Sequence, residues 1–333
     1  MSAVADTMNT PARSGGSRLA TFAIRLGALA MFVLIMLYFA VTAPGFLSAF
    51  NIVNVIEQSA ILGVLAFGVA VVIIGGGSDV QTGGIDLSIA ANAGLCAAVY
   101  ALMTNAGYDQ LLAVAATFAT GMAIGCLNAF AVVWLRILPL LATLAAMNIA
   151  AGLELTITEN TVVGTTSPLL TLLAGGRFLD ISALAWVLIL FALLSALVIH
   201  RTPVGVRLYA VGGHPEAARA AGLGTARYVA GTYIFSGFCA AFASILIVSR
   251  LSASTPGTGE LLLSVLAAAL LGTVFSRRFI PTIGGTLLAV IFIGFLANGF
   301  QLLSISSYWV SGVQGALILL VVAVTTFARP QEH

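Results

Sequence analysis

The sequence predicts an all-α polytopic membrane protein of about ten transmembrane helices, with one broken or re-entrant segment near residues 75–90. Three observations carry that prediction. Of 333 residues 60% are hydrophobic and only 7% charged, with a mean hydropathy of +1.12, against roughly 25% charge in a soluble domain. The apolar residues form runs of membrane-spanning length, punctuated by glycine, proline and arginine. The basic residues, 13 arginines and no lysine, gather on one side of an alternating chain.

Residues 1–20 are small and polar and read as a disordered cytoplasmic N-terminus; residues 21–329 read as one transmembrane domain. The leader lacks the apolar core of a cleaved signal, so the segment behind it stays as a span. The first span covers about Leu26–Val41 and stops at Pro44 and Gly45. The more mixed Phe46–Glu57 reads as an interfacial helix, and the second span runs about Ala60–Ile74. GGGSDVQTGGIDLSIAANAG follows at 75–94. Gly83 and Gly84 break the chain, and Asp86 is placed to cap a third span from about Leu87 to Leu102. Such backbone is tolerated at membrane depth only under cover of protein or water. It reads either as a broken helix beside a translocation path or as a plain cytoplasmic turn, and the residues favour neither.

The fourth span, about Leu111–Val133, carries Gly121 and Gly125 at the spacing that lets backbones approach. Arg136 and Pro139 end it, and Leu140 to about Thr156 is the fifth. Glu159–Asp180 is a loop, and Ile181–Ile199 is the sixth span. Then comes Arg201–Arg227, the longest charged interruption, with Arg201, Arg207, Arg219 and Arg227. Its centre reads as a short helix: Pro215 suits the first position, Glu216 the first turn, and Gly222 the stop. Ala217, Ala220 and Ala221 give it a smooth face, and Glu216 and Arg219 are spaced to pair. A helix this short needs support, so it is an ordinary turn or a docking element. Spans seven to ten cover about Tyr228–Val248, Leu261–Val274, Ile283–Asn298 and Trp309–Thr326, with an external turn at 249–260.

With the N-terminus in the cytoplasm and ten alternating spans, the inner side holds Arg13, Arg18, Arg25, Arg136, Arg201, Arg207, Arg219, Arg227, Arg277, Arg278 and Arg329. Arg177 and Arg250 fall outside. Both termini are therefore expected in the cytoplasm.

Bond-making chemistry finds no residues. His200, His214 and His333 have no spaced partner for a metal or a nucleophile. The glycine clusters lack a following Lys-Ser/Thr, so no nucleotide-phosphate loop is present. No cofactor, metal or nucleic-acid partner is expected. Cys96, Cys126 and Cys239 read as small core residues. The acids lie near span ends, with Glu154 closest to mid-depth. Among neutral polar residues, Asn148 near a helix middle and Asn298 toward a helix end either pair between helices or line a path for an uncharged, hydroxyl-rich solute.

TGGIDLSIA at 82–90, GCLNAFAVVWLRILPLLATLAAMNIAAGL at 125–153 and YAVGGHPEAARAAGLGTARYVAGTYIFSGFCAAFASIL at 209–246 resemble the permease subunits of bacterial ABC importers for ribose, xylose and similar monosaccharides. The resemblance continues through 249–262 and 297–322, and GGIDLS points to the sugar branch rather than to related amino-acid permeases. It implies a homodimer or pseudo-dimer of permease copies in the bacterial inner membrane, an ATP-binding cassette ATPase beneath and a periplasmic solute-binding protein above. Within 201–227, Gly213–Gly222 matches the loop such permeases insert into the ATPase. The implied ATPase-coupling residues are Gly213, Pro215, Glu216, Ala217, Arg219, Ala220 and Gly222. Gly83, Gly84, Asp86 and Ser88 match the broken segment beside the path, with Asn148 and Asn298 as further path or gate candidates. Two stretches depart from the family pattern: GGGSDVQ before the motif, and Arg277, Arg278 and Phe279 where relatives carry small residues. The resemblance implies a non-catalytic subunit for a sugar; a nucleoside, polyol or signalling furanose is the alternative cargo. A secondary carrier is the competing class, opposed by the lack of a convincing mid-membrane acid or base.

Overall fold

The computed structural model describes residues 30, 32–77, 84–276 and 280–328, most of them helical. Gly83, most of the GGGSDVQ departure and the Arg277–Arg278–Phe279 departure lie outside the described residues. In chain order the helices are α1 (Phe32–Thr42), α2 (Ala49–Gly76), α3 (Ile89–Asn105), α4 (Gln110–Ala129, extended by a π turn at Phe130–Trp134) and α5 (Pro139–Ile157). Then come α6 (Pro168–Gly175), α7 (Ala183–Arg201), α8 (Pro203–Gly213), α9 (Pro215–Ala220) and α10 (Thr225–Leu251). A 3₁₀ turn (Thr258–Leu261) leads into α11 (Leu262–Val274), followed by α12 (Ile283–Leu302) and α13 (Ser307–Ala328).

Among the described residues, six helices are long and apolar enough to cross a membrane: α2, α4 with its π turn, α5, α7, α10 and α12. Shorter apolar helices cover Phe32–Thr42, Ile89–Asn105, Thr258–Val274 and Trp309–Leu319. Together they occupy the apolar runs marked in the sequence. An all-helical build is what lipid demands, since each backbone group must be satisfied within its own segment.

The elements start where side chains can absorb orphan amides. Ser48, Asp109, Ser167, Ser182 and Thr282 each accept from a first-turn N–H, of Asn51, Leu111, Leu170, Ala185 and Gly285 respectively. The cap at Ser48 explains the first correction. Phe46–Glu57 is no separate interfacial helix: its residues from Ala49 on are the opening turns of α2, which runs unbroken for 28 residues. The polar Gln58–Ser59 pair that follows Glu57 is satisfied inside the helix. Ser59 donates to the Val55 carbonyl at 2.7 Å and Gln58 to Asn54 Oδ1 at 3.1 Å. The supposed loop 159–180 holds α6 and the two residues Arg177–Phe178, which pair antiparallel with Ile181–Ser182. The turn after α10 is likewise tied down, Ala253–Ser254 pairing with Val163–Gly164.

α2 is the axis of the molecule. It is buried without a break from Gly63 to Gly75, with α7, α8, α10, α11 and α12 packed around it. α10 passes beside it and crosses α4 at glycines. A Cβ on Gly121 would stand 2.5 Å from the Gly237 carbonyl oxygen, and one on Gly125 2.6 Å from that of Tyr233. The small-residue spacing read from the sequence is thus a backbone-on-backbone contact. Cys96 is buried at that crossing and Cys239 against Gly68 of α2, but Cys126 is exposed, which corrects its reading as a core residue.

The N-terminal end of α2 is fastened to α12 by amides. Asn51 Nδ2 donates to Asn298 Oδ1 at 2.8 Å, and Asn298 Nδ2 returns the bond to Asn51 Oδ1 at 3.0 Å. Asn51 also donates to the Phe46 carbonyl. Both side chains are buried. We expect N51A and N298A each to cost about 1–2 kcal/mol, with a coupling energy near 1 kcal/mol in the double-mutant cycle, read by thermal unfolding in detergent. Strict additivity would show that the pair contributes nothing.

Candidate functional site

Asp86 sits in the non-helical link between α2 and α3, only 2% exposed. The sequence reading placed it near a span end, as the cap of a helix from about Leu87; it does lie beside the start of a span, but the helix opens later. α3 begins at Ile89 with Ser88 at its N-cap position, and Asp86 is enclosed by α4 and α10. Its carboxylate is used on both oxygens. Oδ1 accepts from the Ser88 amide at 2.8 Å, from Ser88 Oγ at 2.6 Å and, more weakly, from Asn128 Nδ2 at 3.4 Å. Oδ2 accepts from Ser236 Oγ of α10 at 2.6 Å. Asn128 Nδ2 also reaches Ser88 Oγ at 2.8 Å, and Thr143 of α5 approaches the Ile85 carbonyl at 3.4 Å. One short carboxylate therefore ties an irregular segment to α4 and α10, while α5 leans on the neighbouring backbone. Irregular backbone is stable inside a bundle only when covered and bonded in this way.

The glycine before it fits the same logic. Gly84 packs on the backbone of α2, where a Cβ would collide with the Val72 carbonyl and the Gly76 Cα. Two buried polar atoms in the cluster, Asn128 Oδ1 and Tyr233 OH, have no hydrogen-bond partner. Tyr233 is fully buried and within electrostatic reach of Asp86. Sequence reasoning found Gly84, Asp86 and Ser88 but missed Ser236 and Tyr233. The one available signal was a polar residue beside Gly237 in an otherwise apolar span.

The remaining path candidates lie elsewhere. Asn298 belongs to the α2–α12 amide pair. Asn148 stands exposed on α5, donating to the Leu144 carbonyl of its own helix. It shares an outer surface with Leu141, Leu144 and Ile149, each at least 40% exposed.

The Arg201–Arg227 segment is more ordered than a loop. Residues 203–213 form α8, which the sequence reading left without structure. α9 then follows at Pro215, with Glu216 in its first turn and Arg219 in its last. Gly222 takes φ +82°, the left-handed conformation that ends a helix at low cost only for glycine. Ala218 is buried, whereas Gly213, Glu216, Ala217, Arg219, Ala220 and Ala221 are exposed. The result is a small knob with a bare alanine surface.

The knob is wired to the bundle. Gly212 of α8 lies against the Ile74 carbonyl of α2, and Gly77, at the end of α2, faces the Gly212 carbonyl. Tyr209 OH donates to the Pro281 carbonyl at 2.9 Å, and the Ile283 amide that opens α12 donates to His200 Nε2 at 3.3 Å. His200 and Tyr209 stack with ring centroids 6.3 Å apart. Neither residue was marked from sequence, since each acts through a partner more than 70 positions away.

Comparison with known proteins fits this geometry. The family described as branched-chain amino acid transport system / permease component matches residues 51–322. The ribose import permease protein of Bacillus subtilis (strain 168) is 35% identical over 88% of this chain and 90% of its own. That of Escherichia coli (strain K12) is 32% identical over 89% and 91%. The L-arabinose ABC transporter permease protein of Azospirillum brasilense is 28% identical over 93% and 89%. No solved structure matches the chain. A helical membrane protein whose non-helical link before α3 is clasped by Asp86, and whose sequence matches along this length, belongs to the permease-component family of branched-chain amino acid transport systems, among relatives that include ribose import permeases.

Proposed function

We propose that this chain is the membrane subunit of an ATP-driven importer and forms the path for a monosaccharide handed over by a periplasmic binding protein. It crosses the bacterial inner membrane ten times, keeps both termini in the cytoplasm and works beside a second permease copy. An ATPase subunit hydrolyses ATP beneath it.

The observation that carries this reading is the short physical route from knob to clasp. α9 continues through His214 into α8, Gly212 of α8 bears on α2 at Ile74, and the described chain, which stops at Gly77, resumes at Gly84 against that same end of α2. Asp86 lies next, holding Ser236 of α10, and α10 is the helix that leaves the knob at Thr225. Motion at α9 therefore reaches the broken segment by two arms, α8–α2 and α10. The exposed alanines supply the close approach for an ATPase groove, Glu216 and Arg219 the polar contacts, and Gly222 the turn. Apart from the Asp86 carboxylate, whose oxygens are taken up by the clasp, the groups near the break are hydroxyls and amides with no cation among them, which suits an uncharged, hydroxylated cargo.

Ala220→Trp tests the docking role, because Ala220 is exposed and the substitution spares the fold. Uptake and stimulation of ATPase activity are expected to fall at least about tenfold at unchanged membrane levels, on the scale of one interface anchor lost. Gly222→Val should do the same while adding about 1–2 kcal/mol of backbone strain. Normal uptake and normal stimulation in both would remove the assignment. A second cargo, autoinducer 2, is favoured by similarity to the autoinducer 2 import permease of Salmonella typhi, 29% identical over 88% of this chain. A calorimetric screen of the binding protein against sugars and that signal separates the two.

A further inference from the structure

Outside the clasp and the knob, the bundle carries a cleft between α7 and α10. It encloses about 590 Å³ and is walled by Val187, Phe191, Leu194, Phe235, Phe238 and Phe242, among other apolar residues. Its aromatic rings form a continuous wall, Phe191 to Phe242 at 5.3 Å and Phe242 to Phe238 at 6.3 Å. The α7 side is open to the outside: Leu190, Leu194 and Val198 are 51%, 59% and 44% exposed. In a membrane protein such an outward leucine surface faces acyl chains.

One end of the cleft changes character abruptly. Arg227 and Tyr228 line it and also line a second cavity of about 470 Å³ with Arg207, Gly222, Leu223 and Gly224. Arg207 Nη1 donates to Tyr228 OH at 3.2 Å, and Arg227 lines the same cavity, so two arginines border this end. Among the described residues, no acidic residue lines either cavity. This end lies where α7 stops at Arg201 and α10 starts at Thr225, the level of a membrane surface.

We propose that this composite cleft holds one anionic phospholipid, with acyl chain in the aromatic slot and phosphate on Arg207 and Arg227. A polar solute finds little to bond in the slot, whose lining hydroxyls are that of Ser195 and that of Thr232, the latter already given to the Val229 carbonyl. A purely apolar ligand leaves the arginines idle. An amphiphile with a phosphodiester satisfies both, because guanidinium forks fit phosphate oxygens and an anionic headgroup adds attraction at the surface. The cleft is separate from Ala217, Ala220 and Ala221, and the proposal does not depend on the docking role of the knob.

Native mass spectrometry of the delipidated full-length permease in detergent tests it, with phosphatidylglycerol, phosphatidylethanolamine and inorganic phosphate as probes. Phosphatidylglycerol is expected to bind about thirtyfold more tightly than phosphatidylethanolamine, from roughly fivefold per arginine. R207Q/R227Q, both at exposed positions, should erase that preference. G231L should weaken both lipids, because Gly231 lines the cleft and a Cβ there meets nothing within 4 Å. Unchanged preference in R207Q/R227Q overturns the proposal. So does displacement of the lipid by inorganic phosphate, or loss of a permease dimer on G231L, which would make the cleft a subunit contact.

Discussion

Asp86→Ala is expected to abolish solute uptake, by at least about a hundredfold, and to lower the thermal midpoint of the purified permease. The carboxylate accepts from Ser88 twice, from Ser236 and from Asn128, all in a site closed to solvent. Truncation strands Ser236 Oγ and the Ser88 amide and leaves a void. With roughly 1–3 kcal/mol for each stranded buried group, the loss is about 3 kcal/mol or more. The broken segment then has no fastening to α10, so the functional loss exceeds what stability alone explains. Asp86→Asn keeps the shape and one acceptor oxygen and should retain a measurable part of both properties. Uptake and melting in parallel provide the check. If the alanine variant melts and transports as the parent does, the clasp has no role in either.

Gly237→Leu should prevent the bundle from assembling. At the α4–α10 crossing a Cβ on Gly237 runs into the Gly121 carbonyl, with the Gly121 carbonyl carbon at 3.0 Å and the Gly125 Cα at 3.2 Å. These are backbone atoms and have no rotamer to yield. Overpacking in a dense core costs about 1–3 kcal/mol when side chains can move aside, so this figure is a floor. We expect Gly237→Ala to lower the midpoint measurably and Gly237→Leu to give mostly aggregated material on size exclusion. Gly231→Ala is the control on the same helix. Nothing stands near its Cβ, and replacing a helical glycine by alanine gains about 0.5–1 kcal/mol. A well-folded Gly237→Leu would mean that the crossing is looser than its glycines require.

What was legible in the sequence follows from what lipid enforces. The apolar runs had to be helices, and Gly121 and Gly125 had to face a close neighbour, because few other uses exist for that spacing in a span. Pro215 and Gly222 marked the limits of α9 by their own backbone preferences. The failures share a different cause. α8 is rich in glycine and reads as loop, but Gly212 is there to meet α2, a contact no local pattern records. Phe46–Glu57 was cut from α2 because its mixed composition reads as interfacial, although α2 starts inside it at Ala49 and runs on without a break. Within the site, Asp86 was marked by its glycines, whereas its partners Asn128 and Ser236 stand 42 and 150 positions away. Long-range polar pairing has no periodicity, so nothing in a single sequence announces it.

The contact between Gly212 and the Ile74 carbonyl has a mechanical meaning. Where side chains separate two helices, small displacements are lost in rotamer hops and soft repacking. Bare main chain on bare main chain has no such slack, so a push on one rod is delivered to the other nearly whole. In the coupling proposed above, the lever between engine and gate is therefore stiff at its fulcrum, and its throw depends on helix geometry rather than on which residues decorate the outside. The decorated tip of α9 is then free to vary with its engine while the stroke it delivers stays the same.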